Sequence, residues 1–509
     1  MSKRLIVVLA LAFLLGLSVT AFAETQNIKV SGDILMRAIS RSDFSLVNEE
    51  TYSNGDYEDG DLHKYKSRGI TTQARIRVDA DLTDDVAATI RLLNERTWGR
   101  ENWIEDQYLY NNGPYEGYPQ YSGDPSVDID LAYITLKEFL YSPLTLIVGR
   151  QELKFGNGLI IGDPDTNQYA DTIGVPMDLS LRKSFDAMRA ILDYDPLTID
   201  LIYAKISENE VVWWDTALDF AWIGGNPPAE RKDLDLYGIN AHYALTDRNA
   251  FVDGYYFIKD DRVTIYDPYN WGYPAGAANV GGPGRDIVHT LGVLVGGEIL
   301  ENLTGTFELA RQFGQKSYLL SPYMPLAQRG DLSAWAMQAN VNYVFSDMEN
   351  TPSLGLGYTY LSGDDALWTG KQRTWEPMFE DQMPNSIVNA MFLNTNCTAW
   401  HLRGGLKPRE DMTLSAILGF YKLNEGITEG PDGPGIFSPY GVNRIAFPST
   451  GSKDLGIALD LGLAYDYTED VQLGLSWSMF DPGAAFKNNA HTEKIKTATE
   501  LIGSMKVTF

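Results

Sequence analysis

Arginines stand at alternate positions of an apolar stretch near the start of the chain. In QARIRVDADL, residues 73–82, Arg75 and Arg77 share one face of an extended strand, and the opposite face is apolar. An arginine facing lipid at the midplane of a membrane costs about 2–4 kcal/mol, so both side chains are expected to face water. Positive charges on the wall of a narrow aqueous passage concentrate anions, and this is the chemistry we expect here.

Further arginines lie in strand-like stretches of the chain. Arg403 shares a face with His401 opposite Trp400, whereas the facing of Arg150 and Arg189 is less secure. Two interpretations stay open for these side chains. They line a path for anions, or they pair with carboxylates of the same wall, for which the candidates are Asp79, Asp128, Asp130 and Glu308.

Motifs of enzymes and metal sites are weak in this chain. The five histidines show no HExxH or other metal-ligand spacing. GLSWS, residues 474–478, lacks the second glycine of a nucleophile elbow and lies inside a strand-like stretch. Residues 163–174 begin like a calcium loop but lack its central glycine and its last glutamate. We therefore expect no catalytic residue, no metal and no cofactor.

The segments that would position the arginines are strands of period two. In DLGIALDLGLAYDY, residues 454–467, large apolar residues alternate with Asp, Gly and Ala, and residues 471–479 repeat the pattern. Such a strand presents one face to an apolar phase and the other to water. A soluble β-sandwich would give the same alternation, so the pattern alone does not establish a membrane setting.

The connections between these strands alternate between short and long. Short links such as residues 83–85, 195–196 and 468–470 separate excursions such as 98–126 and 425–453. Short periplasmic turns and long outer loops are typical of outer-membrane barrels, in which closure leaves no unpaired edge in lipid. The sequence therefore predicts an all-β, membrane-spanning, antiparallel up-and-down β-barrel of about 18 strands.

Both ends of the chain agree with a place in the bacterial outer membrane. A basic pair and an apolar run precede a small-residue site at Ala21–Ala23, so residues 1–23 are expected to be a cleaved signal peptide. Residues 24–509 would then form the single barrel domain. The last stretch alternates and ends in Phe509, similar to the C-terminal strand by which outer-membrane proteins are recognised.

The composition disfavours nucleic acid as a partner. The formal net charge is -27 at pH 7, whereas phosphate binding requires basic surface. Acidic residues cluster in residues 54–62, 373–385 and 425–435, which we interpret as solvated loops. Cys397 is the only cysteine and forms no internal disulfide.

One segment carries a family resemblance. GRQEL, FGNGLIIG and SFDAMR, at residues 149–153, 155–162 and 184–189, resemble the hallmark segment of the alginate-export family of outer-membrane proteins. Its best-known members are eighteen-stranded barrels that pass an anionic polyuronate through an arginine-rich pore. The resemblance implies that Gly156 and Gly158 let the backbone turn inward after the strand.

The resemblance also implies which residues line the pore. Arg150 and Arg189 are the positions most directly carried over, and their segments bring in neighbouring polar residues. Together with the strand arginines, the predicted pore lining and substrate pathway is Arg75, Arg77, Arg150, Gln151, Glu152, Asp186, Arg189 and Arg403.

We expect a passive channel rather than an enzyme. Its partners would be outer-membrane lipid and lipopolysaccharide, an anionic solute or acidic polysaccharide, and a periplasmic export complex. Two alternatives stay open. One is a general porin for small solutes, in which Asp79, Asp128 and Asp130 neutralise the arginines. The other is a barrel-borne hydrolase with a dispersed Ser/His pair.

Overall fold

Long β-strands make up nearly all of the regular structure. The computed structural model describes residues 27–44, 46, 66–99, 127–164, 175–213, 229–266, 284–321, 324–364, 371–381, 384–392, 394–426, 452–486 and 495–509. The strands are β1 (Asn27–Ser42), β2 (Lys66–Asp81), β3 (Val86–Thr97), β4 (Asp128–Leu136), β5 (Leu144–Glu152), β6 (Ser184–Asp193), β7 (Leu197–Trp213), β8 (Ala229–Leu245), β9 (Ala250–Tyr266), β10 (Gly284–Leu300), β11 (Leu303–Ser321), β12 (Met324–Val344), β13 (Ser353–Leu361), β14 (Lys371–Gln372), β15 (Cys397–Arg409), β16 (Met412–Leu423), β17 (Asp454–Asp466), β18 (Val471–Pro482) and β19 (Ala498–Thr508).

The sheet closes on itself into a barrel. Each strand of the wall is antiparallel to the next, and β1 also pairs with β19, with Asp33 opposite Thr508. The two-residue β14 runs parallel to β12 and is not part of the wall, because β13 pairs directly with β15. Of the 19 strands in the described residues, the other 18 form the wall, and the predicted fold class is confirmed.

Tight turns join the strands at one end of the barrel. The N–H of Tyr467 donates to the carbonyl of Val471 at 2.8 Å, and the N–H of Leu82 donates to Val86 at 2.9 Å. The last residue lies at this end, where the N–H of Phe509 donates to the carbonyl of Gly32 at 3.0 Å. Since periplasmic turns are the short ones, this end is the periplasmic side.

The outer face of the wall is apolar, as the period-two pattern predicts. The side chains of Ile76, Leu291, Leu461 and Leu475 point outward and are 44–55% exposed on the protein alone. In an outer-membrane barrel this band faces lipid hydrocarbon. Among the described residues no helix has the length and apolar character to cross a membrane.

Two chain segments fold into the lumen and form an apolar core there. The first is residues 153–163, which follow β5, and the second is residues 371–381, 384–392 and 394–396, which contain the short helix α1 (Ser386–Met391). The N–H of Phe379 donates to Ile160 at 3.0 Å, and the ring of Phe379 packs edge-on against Phe185 of β6, with centroids 5.9 Å apart. These segments narrow the passage through the barrel.

One sequence prediction is wrong. The acidic residues of 373–385 predict a solvated loop, but Trp375, Met378 and Phe379 are buried inside the barrel. The acidic side chains of the segment enter the lumen because lysines of the wall and of the neighbouring segment pair with them. The inward turn after β5 agrees with the resemblance, since Gly156 and Gly158 both have positive φ.

Candidate functional site

The strand β2 directs two predicted arginines into the lumen. Its odd-numbered residues face inward, as the fully buried Thr71 and Gln73 show, and its even-numbered residues face outward, as the exposed Ile76 shows. The side chains of Arg75 and Arg77 therefore lie on the lumenal face.

Both of these arginines are paired with carboxylates of the same wall. The Nε of Arg75 lies 2.9 Å from Oδ1 of Asp33 on β1, and the Nε of Arg77 lies 2.8 Å from Oδ2 of Asp79. The hydroxyl of Thr89 also donates to Asp79, at 2.7 Å. The wall at this point therefore offers positive and negative groups side by side.

A third lumenal arginine, Arg91 on β3, forms an ion pair with Glu152, one of the residues predicted to line the pore. The Nε of Arg91 lies 2.5 Å from Asp130 of β4, and its Nη2 lies 2.5 Å from Oε1 of Glu152 at the end of β5. The hydroxyl of Ser184 donates to Asp130 at 3.2 Å. Glu152 is thus half exposed to the lumen while fixed by Arg91.

Gln151 and Arg189 occupy the inner face near the inward segment. The side-chain amide of Gln151 donates hydrogen bonds to the backbone carbonyls of Gly149 in β5 and Ala187 in β6, at 3.2 and 3.1 Å. It therefore connects these two neighbouring strands. The Nε of Arg189 donates to Asp200 at 2.7 Å, and its guanidinium carbon lies 5.4 Å from the centroid of the Phe155 ring. Arg189 therefore braces residues 153–163 as well as facing the passage.

Arg150 and Asp186 lie on the opposite, outer face of the wall. They pair with each other at 2.8 Å and are opposite one another in the β5–β6 register. Two positions further along both strands, on the same face, Val148 and Met188 are 37% and 53% exposed. This placement does not fit the prediction that the pair lines the pore.

Arg403 lies on the inner face of β15. Its neighbours Leu402 and Trp400 are exposed on the outer face, and His401 on the inner side is buried with Nε2 3.3 Å from Oδ1 of Asn340. Within the described part of the chain no carboxylate pairs with the guanidinium group of Arg403. It is the predicted arginine whose charge is least compensated.

Ion pairs fasten the inward segment to the wall. Glu376 pairs with Lys316 of β11 and lies 3.6 Å from Lys259 of β9. Burial raises the pKa of Glu376, but the two ammonium groups outweigh this and hold its pKa below the usual value. The pKa of Asp381 is also below its usual value, because the charges of Lys183 and Lys154 lower it by more than burial raises it.

The sequence reasoning missed an ion cluster on β1. Arg41 is almost fully buried and pairs with Asp178 at 2.5 Å and with Glu500 of β19 at 2.6 Å. The side chain of Arg37 donates to the carbonyl of Leu179 at 2.8 Å. The alternation of β1 places both arginines on one face, so period two is the signal that would have found them.

The lumen as a whole combines donors and acceptors. Guanidinium groups alternate with carboxylates on the wall, which suits a ligand that carries both acid groups and hydroxyls. No three His, Cys, Asp or Glu side chains of the described residues are arranged to hold a metal ion.

A closed barrel with an apolar outer band and a polar lumen is the architecture of bacterial outer-membrane channel proteins, and this protein is one of them. The family model described as "Alginate export" matches residues 29–498. The chain therefore belongs to the alginate-export family, and the resemblance carried by the GRQEL segment is confirmed.

The chain is similar to several solved structures, and the names of two of those given below describe outer-membrane proteins. OccK2 (OpdF) of Pseudomonas aeruginosa, in complex with glucuronate, is 10% identical, with 95% of this chain and 99% of that chain covered and a TM-score of 0.48. OpdK of Pseudomonas aeruginosa is 10% identical, with 94% and 99% covered and a TM-score of 0.49. OmpT of Vibrio cholerae is 8% identical, with 96% and 100% covered and a TM-score of 0.37. No curated protein matches the sequence.

Proposed function

We propose that this protein is a passive channel for anionic solutes, and that an acidic polysaccharide on its way out of the cell is its cargo. The observation that carries the proposal is the set of partly exposed guanidinium groups on the inner wall. Arg77 and Arg189 are 36% and 27% exposed there although each has a carboxylate beside it. A uronate-like chain presents carboxylates to the arginines and hydroxyls to the aspartates.

The same pairs also favour a second candidate function, a general porin for small solutes. Asp33 and Asp79 neutralise the charges of Arg75 and Arg77, and Asp130 does so for Arg91. A passage with little net charge on its wall discriminates weakly between ions. The two functions therefore differ in ion selectivity.

The reversal potential of single channels in a potassium chloride gradient tests the proposal. We expect the open pore of the native chain to prefer chloride. Replacing both Arg75 and Arg77 by Gln leaves the charges of Asp33 and Asp79 without guanidinium partners, so the permeability ratio should shift toward potassium by a factor of about 2–5 for each charge. Arg409→Gln is the matched control, since Arg409 pairs with Asp411 at 2.5 Å near the periplasmic turns. A native preference for potassium, or an unchanged ratio in the double variant, would favour the general porin.

We further infer that transport involves no catalysis and that a periplasmic complex hands the polymer to the barrel. Esterase or protease activity that disappears on replacing a single Ser or His would contradict the first inference. The second is tested by crosslinking the periplasmic turns in cells, where the absence of any crosslinked protein partner would contradict it.

We also infer that residues 1–23 are removed on export, which the basic pair and the site at Ala21–Ala23 support. These residues lie outside the part of the chain that the structure describes. N-terminal sequencing of the protein from outer membranes should begin at Glu24, and any other start would overturn this inference.

A further inference from the structure

Charged residues form a belt on the outer face of the wall, toward the extracellular ends of β7 to β10. The exposed Leu201, Tyr237 and Ile239, at 44%, 37% and 40%, mark the outward face of these strands, whereas Leu234, Leu236 and Phe257, each 1% exposed, face inward. The residues between them point outward, away from the lumen. We call the following outward residues the outer belt: Lys205, Asp233, Asp235, Asp260, Arg262 and Arg285.

The outer belt contains three cations and three carboxylates, and the arginines are its most exposed charges. Nη1 of Arg262 lies 3.6 Å from Asp233, which is 33% exposed. Asp260 accepts hydrogen bonds from Arg285 at 2.7 Å and from Arg262 at 3.0 Å, so two guanidinium groups share one carboxylate. The side chain of Asp260 is only 4% exposed, whereas those of Arg262 and Arg285 are 46% and 50% exposed. Each arginine therefore retains donors that point outward.

An apolar hollow lies directly below the outer belt. It has a volume of about 390 Å³, and its lining includes Met188, Leu201, Tyr203, Tyr237, Tyr256 and Ile258. In the sheet register Tyr203, Tyr237 and Ile258 lie opposite one another, and Lys205, Asp235 and Asp260 form the next outward row toward the extracellular side. The hollow and the belt are thus adjoining parts of one outward surface.

The height of the outer belt matches a membrane boundary. Asp260 lies ten residues beyond Ala250, where β9 starts at the periplasmic end. A tilted strand rises about 25 Å over that length, which equals the height of the apolar band of outer-membrane barrels. The outer belt therefore lies at the level of the lipid headgroups of the outer leaflet, and the hollow lies at the level of the acyl chains.

We propose that this surface binds one phosphorylated, multiply acylated lipid of the outer leaflet, which is the chemistry of lipopolysaccharide. Arg262 and Arg285 hold a phosphate group, because the guanidinium fork matches phosphate oxygens in pairs. An acyl chain fills the hollow below, with its end toward the membrane centre. The site is separate from the lumen and does not depend on the proposed transport function.

Binding of lipid A with two phosphates to the full chain in detergent, measured by native mass spectrometry, tests the proposal. We expect Arg262→Gln combined with Arg285→Gln to weaken binding about tenfold, because two charge-assisted hydrogen-bond donors to phosphate are lost. Ala190→Trp, which fills the hollow from its outward side, should weaken binding similarly. Arg409→Gln and Leu461→Trp are the matched controls, since both residues lie outside the outer belt and the hollow. Both variants should bind lipid A as the native chain does.

Further arms of the experiment separate this site from other causes. Because arginines hold the phosphate, chelating divalent cations should leave binding in place, and loss of binding on chelation would overturn the proposal. Unchanged binding in both belt and hollow variants would overturn it as well. So would an oligomer of the native chain that the same variants convert to monomer, since the surface would then be a contact between copies. The unboiled gel mobility of each variant shows that its barrel is folded.

Discussion

Gly149 has a backbone conformation that other residues adopt only at a cost. Its φ is +125°, and a Cβ placed there would lie 2.1 Å from the carbonyl oxygen of Ala132 on the neighbouring strand. Gly149→Ala should therefore lower the free energy of unfolding by about 1–3 kcal/mol. The urea midpoint of the refolded barrel, followed by tryptophan fluorescence, measures this.

A second glycine of the wall provides the control for this prediction. A Cβ at Gly254 of β9 would meet nothing within 4 Å. Gly254→Ala should leave the midpoint unchanged or raise it slightly, because alanine reduces the freedom of the unfolded chain. Equal effects of the two substitutions would contradict the role given to Gly149.

The sequence predicts whether an arginine faces the lumen or the lipid only where apolar residues occupy one face of its strand and not the other. Arg75 and Arg77 alternate with purely apolar residues, so period two places them in the lumen, where the structure has them. The strand before Arg150 is apolar on both faces, as Leu146 and Ile147 illustrate, and alternation cannot choose between them. Side-chain pairing across strands, as in Arg150 with Asp186, becomes visible only once the register is known.

Among the chain segments, residues 373–385 are the ones for which the sequence wrongly predicts a solvated loop, since Trp375, Met378 and Phe379 are buried in the lumen. Glu376 and Asp381 made the stretch look like a solvated loop, but their partners Lys316 and Lys183 are distant in sequence. No local sequence pattern predicts these ion pairs, because their partners come together only after the barrel has closed. The strands themselves were predictable, since period two and turn residues are local signals.

The anchoring of this inward segment should depend on pH. The pKa of Glu376 lies below its usual value, so its ion pairs stabilise the segment at and above that value, near 4.5, and are lost as the pH falls below it. Lowering the pH from 6 to 3 should increase fluctuations of the single-channel current as the segment loosens. The pKa of Asp381 is lowered too, so its ion pairs are complete above its own usual value, near 3.8, and are lost as the pH falls below it.

Glu376→Gln separates the contribution of this residue. The variant lacks the charge at every pH, so at pH 6 it should already show part of the increased fluctuation, and its change toward pH 3 should be smaller. Glu298→Gln is the control, since the carboxylate of Glu298 accepts a hydrogen bond from the side chain of Asn249, at 2.9 Å, near the periplasmic turns. A Glu376→Gln variant as quiet as the native chain at pH 6 would contradict the anchoring role.

Closure of the barrel rests on the pairing of the first strand with the last. The predicted count of about 18 strands agrees with the structure because long and short connections strictly alternate, which requires an even number once the sheet closes. The unboiled protein should therefore migrate differently from the boiled protein in SDS gels. A chain that ends at residue 497 lacks β19 and should show no such heat-modifiable band, because β1 and β18 would then have unpaired edges.

The barrel wall and the apolar core inside its lumen are stabilised by different interactions. The wall is a continuous hydrogen-bond ladder, whereas the core around Phe379 and Trp375 consists of packed side chains within that ladder. Side-chain contacts such as Phe379 with Phe185 and Glu376 with Lys316 attach the core to the ladder, so we expect the inward segments to loosen at a lower temperature than the wall. On heating, the inward segments would then unfold before the barrel wall does. A calorimetric scan would show a first transition at the lower temperature, and the heat absorbed in it would come from the core inside the lumen.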